Sequence, residues 1–226
     1  MTFLAIDTSG DHGVVVLAEN DGAVRAEAVF EGRRTLSKRL LNIVDGLLRE
    51  NELTVRTLSG LAVGIGPGSF TGLRVGLTTM KTFAQVTGLP LAGVNTLDAY
   101  VDGLTADAIV VATPSRRGEA YAAVYGVDVD SRPFAEPMEA LAARCRSLLA
   151  KGTVTLCGDP RTLDELAVDG VVRVDRSWTP PAGLAKAAAL AFSAGDTVSP
   201  LSLVPLYVVP PAISTPKDRS ILPAKP

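Results

Sequence analysis

One stretch constrains the fold more than any other: Gly64-Ile65-Gly66-Pro67-Gly68-Ser69-Phe70-Thr71-Gly72-Leu73-Arg74. The apolar run Leu61 to Ile65 reads as a buried strand. Gly66-Pro67-Gly68 breaks it, and Ser69 or Thr71 can cap a helix running to about Val86. A buried strand turning directly into a helix points to an α/β fold. Free backbone N–H groups at the helix start, together with its dipole, favour an anion. Both common phosphate codes are nevertheless absent. A P-loop ends in Gly-Lys-Ser/Thr, where this chain has Gly72-Leu73-Arg74, and the third glycine of the dinucleotide fingerprint falls on Thr71. The leading reading is a tight turn that allows close packing, with anion binding second.

The elements around this segment come in a repeated order. Phe3 to Asp7, Gly13 to Ala18 and Ala23 to Phe30 read as three strands, the last two joined at Asn20-Asp21-Gly22. An amphipathic helix follows over about 35–51, with Leu36, Leu40, Ile43 and Leu47 on one stripe that Leu41, Val44 and Leu48 widen. After the glycine segment come a strand at Pro90 to Val94 and a short helix from Thr96. The second half begins again with strands at Ala108 to Ala112, Glu119 to Tyr125 and Val127 to Val129. A helix at Glu136 to Ala150, a strand at Val154 to Cys157, a short helix at Thr162 to Leu166, a strand at Val171 to Val174 and a helix at Ala182 to Ala194 complete it. Two copies of one unit predict two α/β lobes, residues 1–103 and 104–209, facing a cleft, with a proline-rich tail at 210–226.

Composition removes several function classes. A formal charge of −2, no basic block and 5% aromatics give neither the field nor the stacking surface of an autonomous nucleic-acid binder. The start lacks a secretory pattern, and no apolar run reaches the roughly 18 residues of a membrane span, so a cytoplasmic protein is expected. With two cysteines, Cys145 and Cys157, and His12 as the single histidine, neither a disulfide framework nor a Cys/His zinc site is expected. The cysteines read as small buried apolar residues.

Taken together, Leu4-Ala5-Ile6-Asp7-Thr8-Ser9, Ser37 followed by Leu40-Leu41, the run from Gly66 to Arg74 continuing as Val75-Gly76, and Gly93-Val94 before a helix resemble the TsaB (YeaZ) family. The resemblance implies the duplicated actin, sugar-kinase and Hsp70-like (ASKHA) fold, α/β with a mixed sheet and helices in each lobe. It implies a non-catalytic scaffold that binds and activates a paralogue, the TsaD threonylcarbamoyltransferase, alongside the TsaE ATPase, in forming threonylcarbamoyladenosine in tRNAs reading codons that begin with A. ATP and magnesium would then serve the complex, with no cofactor on this chain alone and tRNA met only through the complex. Partner contacts are expected at Leu36, Leu40, Ile43 and Leu47 of the first helix and Phe70, Leu73, Leu77 and Met80 of the second, through a four-helix bundle. Without the paralogue, the same surface is expected to form a two-fold homodimer. The chain departs from the family pattern at Leu36, which replaces a frequent histidine, at Pro114-Ser115-Arg116, which replaces Asp-Ala-Arg, and at Val209, which replaces an arginine.

Asp7, Thr8, Ser9, Gly66, Gly68 and Ser69 are the candidate remnant of an anion or nucleotide site. A first alternative function is an ATP-dependent small-molecule kinase of this fold, with Asp7 as metal partner. Phosphoryl transfer wants a second acidic group, which the turn at Thr113-Pro114 lacks. A second is a peptidase of the glycoprotease-like family, for which His12 would be the single base and no spacing aligns it with a serine or Cys157. Neither alternative assigns a complete set of catalytic or metal-binding residues.

Overall fold

The computed structural model describes residues 1–32, 35–126 and 130–209. The strand expected at 127–129 and the tail at 210–226 lie outside the described residues. The first lobe contains β1 (Thr2–Asp7), β2 (His12–Glu19), β3 (Val24–Glu31), α1 (Leu36–Glu50), β4 (Leu61–Gly66), α2 (Phe70–Thr87) and β5 (Leu91–Asn95). Its sheet runs β3-β2-β1-β4-β5, antiparallel from β3 to β1 and parallel from β1 to β5. A 3-10 turn, Thr96–Val101, leads to the second lobe. There lie β6 (Ala108–Pro114), β7 (Glu119–Gly126), β8 (Phe134–Pro137), α3 (Met138–Leu149), β9 (Val154–Gly158), α4 (Pro160–Leu166) and β10 (Val172–Asp175). Its sheet runs β8-β7-β6-β9-β10, with antiparallel and parallel pairs in the same places. The repeat in element order is therefore a repeat of topology, and each lobe has the expected mixed sheet.

The first sheet is apolar on both faces, and Phe3 to Ile6 and Val14 to Ala18 are all 0% exposed. Side chains alternate across a strand. Leu4, Ile6, Val15 and Leu17 accordingly face α1 and α2, packing with Leu40, Val44, Leu77 and Met80. Phe3, Ala5, Val14 and Val16 face the other way, onto Leu184, Ala185 and Ala188 of α5 (Pro181–Ala194). By position α5 falls in the span 104–209 predicted for the second lobe, but it packs on the first. The first lobe's own helices cover one face of its sheet, and an alanine-rich helix can approach the other closely. The chain beyond α5 stays there too. Leu203 joins the core beneath α1 and α2, Lys81 Nζ donates to the Leu203 carbonyl at 3.0 Å, and Leu206 N donates to the Ile65 carbonyl at 2.8 Å.

One further difference concerns 134–137, where a helix was expected from Glu136. Phe134 to Pro137 instead pairs with β7, Ala122 opposite Phe134 and Glu119 opposite Pro137. An edge strand of four residues carries too little alternation to announce itself, and Pro137 is well suited to precede a helix start. Among the described residues, no helix is long and apolar enough to cross a membrane.

Candidate functional site: a closed glycine junction, an interlobe cleft and a helical face

The end of β1 and the start of α2 meet in one hydrogen-bonded junction. Asp7 is fully buried. Its Oδ1 accepts from Ser9 N at 2.9 Å and Ser9 Oγ at 2.7 Å, and its Oδ2 accepts from Thr96 Oγ1 at 2.6 Å. Thr8 Oγ1 donates to the Gly72 carbonyl at 2.8 Å, and Ser69 N donates to the Ser9 carbonyl at 2.6 Å. Ser69 caps α2, its Oγ accepting from Gly72 N at 3.2 Å. A Cβ at Gly72 would run into the Thr8 carbonyl oxygen, and one at Gly76 into Thr8 Oγ1. The six residues of the anion-site set are thus brought together, with the side chains of Asp7, Thr8, Ser9 and Ser69 engaged within the junction, by one another and by Thr96 and Gly72. The glycines serve the close helix-to-strand approach, the leading reading of this segment.

Beside the junction lies a cleft of about 940 Å³ between the lobes, bordered by Ser9 to His12 and Pro67 to Ser69 on one side and Thr113 to Glu119 and Asp159 to Thr162 on the other. Its charges are mixed, with Arg116, Arg117 and Arg161 near Asp11, Glu119, Asp159 and Glu165. Asp159 serves as N-cap of α4, accepting from Thr162 N at 3.1 Å. His12 lies against Trp178, ring centroids 5.3 Å apart. Cys157 is buried, donating from Sγ to the Tyr100 carbonyl at 3.5 Å, and burial pushes its thiol up to about 11. Burial does the same to Cys145. Nucleophilic attack needs the thiolate, so neither cysteine is prepared for it at neutral pH.

The third feature is the outer face of α1 and α2. Of the eight predicted contacts, Leu40, Leu47, Leu73, Leu77 and Met80 are between 0% and 8% exposed and belong to this lobe's own core. The apolar stripe of each helix faces the sheet first, because intramolecular burial is always available to it. Leu36 and Ile43 are half-buried against that core, and Phe70 is 37% exposed. Sequence reasoning left Leu41 at 51% and Val86 at 63% out of the contact set, although both are more exposed than Phe70. The usable signal for Leu41 was its place one residue off the stripe, where it widens an apolar face beyond what a sheet covers. Phe70 is held between the Arg74 guanidinium, 3.8 Å above its ring, and Tyr207, 5.4 Å away.

Residues 24–179 match the family model described as TsaD: tRNA N6-adenosine threonylcarbamoyltransferase. An uncharacterized protein of Mycobacterium leprae is 34% identical over 211 residues, 91% of this chain and 54% of that one. The tRNA threonylcarbamoyladenosine biosynthesis protein TsaB of Escherichia coli is 36% identical over 146 residues, 62% of each chain. YeaZ from Pseudomonas aeruginosa, a solved structure, superposes with a TM-score of 0.76 at 23% identity, covering 91% of this chain and 99% of that one. This chain belongs to the TsaB (YeaZ) family. Its match spans about half the length of the M. leprae relative. A wider likeness, to the ethanolamine utilization protein EutJ of Carboxydothermus hydrogenoformans, has a TM-score of 0.52 at 15% identity over 82% of this chain and 90% of that one. The TsaB-family double lobe has the ASKHA fold, as expected.

Proposed function

We propose that this chain is a non-catalytic scaffolding subunit in the formation of threonylcarbamoyladenosine in tRNA, binding and activating the TsaD transferase together with the TsaE ATPase. The observation that carries the reading is the state of Asp7. A kinase of this fold would offer that carboxylate to a metal-bound nucleotide, whereas here both oxygens are occupied by Ser9 and Thr96 in a fully buried junction. The facing turn, Thr113 to Gly118, contains no carboxylate to replace it. Both features favour a partner subunit over a phosphotransferase, with ATP and magnesium serving the complex. A net charge of −2 accords with tRNA being gripped by other subunits.

The partner surface includes the apolar side chains that α1 and the start of α2 leave uncovered by their own sheet, Leu41 and Phe70. In the absence of the paralogue this face pairs two copies of the chain. Leu41→Arg tests it, because the side chain is half exposed and its replacement leaves the core intact. The variant is expected to keep its circular dichroism and unfolding midpoint while losing about 2 kcal/mol or more of association with the paralogue on gel filtration. A folded Leu41→Arg chain that still co-elutes at wild-type affinity would remove this surface from the reading.

A further inference from the structure

The 3-10 turn Thr96–Val101 is built into both lobes at once. On the first-lobe side, Thr96 Oγ1 donates to Asp7 Oδ2 at 2.6 Å and Ala99 lies in the core beneath α5. The neighbouring Leu97, 0% exposed, and Tyr100, 6% exposed, enter the other core, among side chains of β6, β7 and β9. A polar clasp closes the same contact. Tyr125 on β7 donates its hydroxyl to Asp98 Oδ1 at 2.7 Å, and Asn95 Nδ2 donates to the same oxygen at 2.7 Å. Just past the turn, Arg176 Nη2 reaches the Asp102 carbonyl at 2.7 Å, and Lys186 of α5 reaches Asp102 Oδ1 at 2.5 Å.

We propose that this turn is a bolt that fixes the angle between the lobes, so that the cleft does not open and close and the two lobes move as one body. A hinge needs a few residues free to absorb backbone rotation. Here Thr96, Leu97, Asp98 and Tyr100 are each engaged, with partners divided between the two lobes. Rotating one lobe against the other would pull Leu97 and Tyr100 from an apolar core and break the Tyr125–Asp98 bond together. The inference concerns rigidity alone and holds whether or not the chain acts as a scaffold.

Single-molecule fluorescence transfer between dyes at Glu27→Cys and Ser147→Cys, exposed positions in the two lobes, measures the angle on isolated chains, and the two native cysteines are buried. The wild-type background is expected to give one narrow population, unmoved by ATP with magnesium, and Leu97→Ala combined with Tyr125→Phe a broadened or displaced one. Two wild-type populations, a shift with ATP and magnesium, or an unaltered distribution in the double variant would overturn the bolt. Should the double variant not fold, Tyr125→Phe alone removes a single oxygen, and amide exchange in residues 96–101 is expected to quicken about tenfold. Unchanged exchange there would count equally against it.

Discussion

Gly72 shows how closely this fold is assembled at single residues. Its missing side chain is the space into which the Thr8 carbonyl projects, while Thr8 Oγ1 holds the Gly72 carbonyl at 2.8 Å. Gly72→Ala must push α2 off β1, and a loss of about 2 kcal/mol or more is expected in urea unfolding. A variant within experimental error of wild type would mean that the junction is not tight. Asp98 gives a second residue-scale expectation, with a defined sign. Burial raises its carboxyl above the ordinary value of 3.8, outweighing the hydrogen bonds from Tyr125 and Asn95 that lower it. The folded chain therefore holds this proton more tightly than the unfolded chain. The resulting stabilisation is complete below 3.8 and is lost as pH rises through the folded value. Asp98→Asn keeps an acceptor for both donors without the charge. Its urea midpoint, relative to wild type, is expected to improve as pH rises across that window, and parallel profiles would contradict the assignment. Of these details the sequence announced the glycines and Asp7, because turn chemistry is local. Thr96 as the partner of Asp7 lies 89 positions away, and no pattern within the chain links them.

Among the elements, α1 separates two kinds of leucine that sequence periodicity groups together. Leu40 is 1% exposed and Leu41 is 51% exposed. Leu40→Ala is expected to cost about 2–5 kcal/mol of stability and Leu41→Ala less than about 0.5 kcal/mol, read from denaturant midpoints. Helix periodicity made α1 and α2 legible almost to the residue, since a long stripe averages over many positions. It could not say which apolar residues turn inward, because that depends on how much sheet lies beneath them. The short edge strand β8 escaped for want of length, and α5 was correctly read as a helix yet belongs by packing to the other lobe. Its role there has a consequence. A chain ending before Pro181 would expose the face formed by Phe3, Ala5, Val14 and Val16, and is expected to be insoluble or to lack cooperative unfolding of the first lobe. A soluble, cooperatively folded truncation would show that α5 is dispensable.

At the scale of the whole molecule, two sheets of matching strand order face a cleft between the lobes. The carboxylate at the end of β1 is a buried turn anchor, the thiol of Cys157 is held by a backbone carbonyl, and the 3-10 turn joins both cores. The duplication was legible because the order of elements repeats even where residues do not, and the family was legible in the run from Gly66 to Arg74. The relation between the lobes was not, being made of contacts such as Tyr125 to Asp98 that only the folded chain brings together. The most direct measurement is reconstitution: purified transferase paralogue, ATPase, this chain, ATP, magnesium, an activated threonylcarbamoyl donor and tRNA, with threonylcarbamoyladenosine quantified by mass spectrometry of the digested nucleosides. Product is expected only when all three proteins are combined, and none from this chain alone. Modified tRNA formed by this chain alone, or equal yields without it, would contradict a scaffolding role.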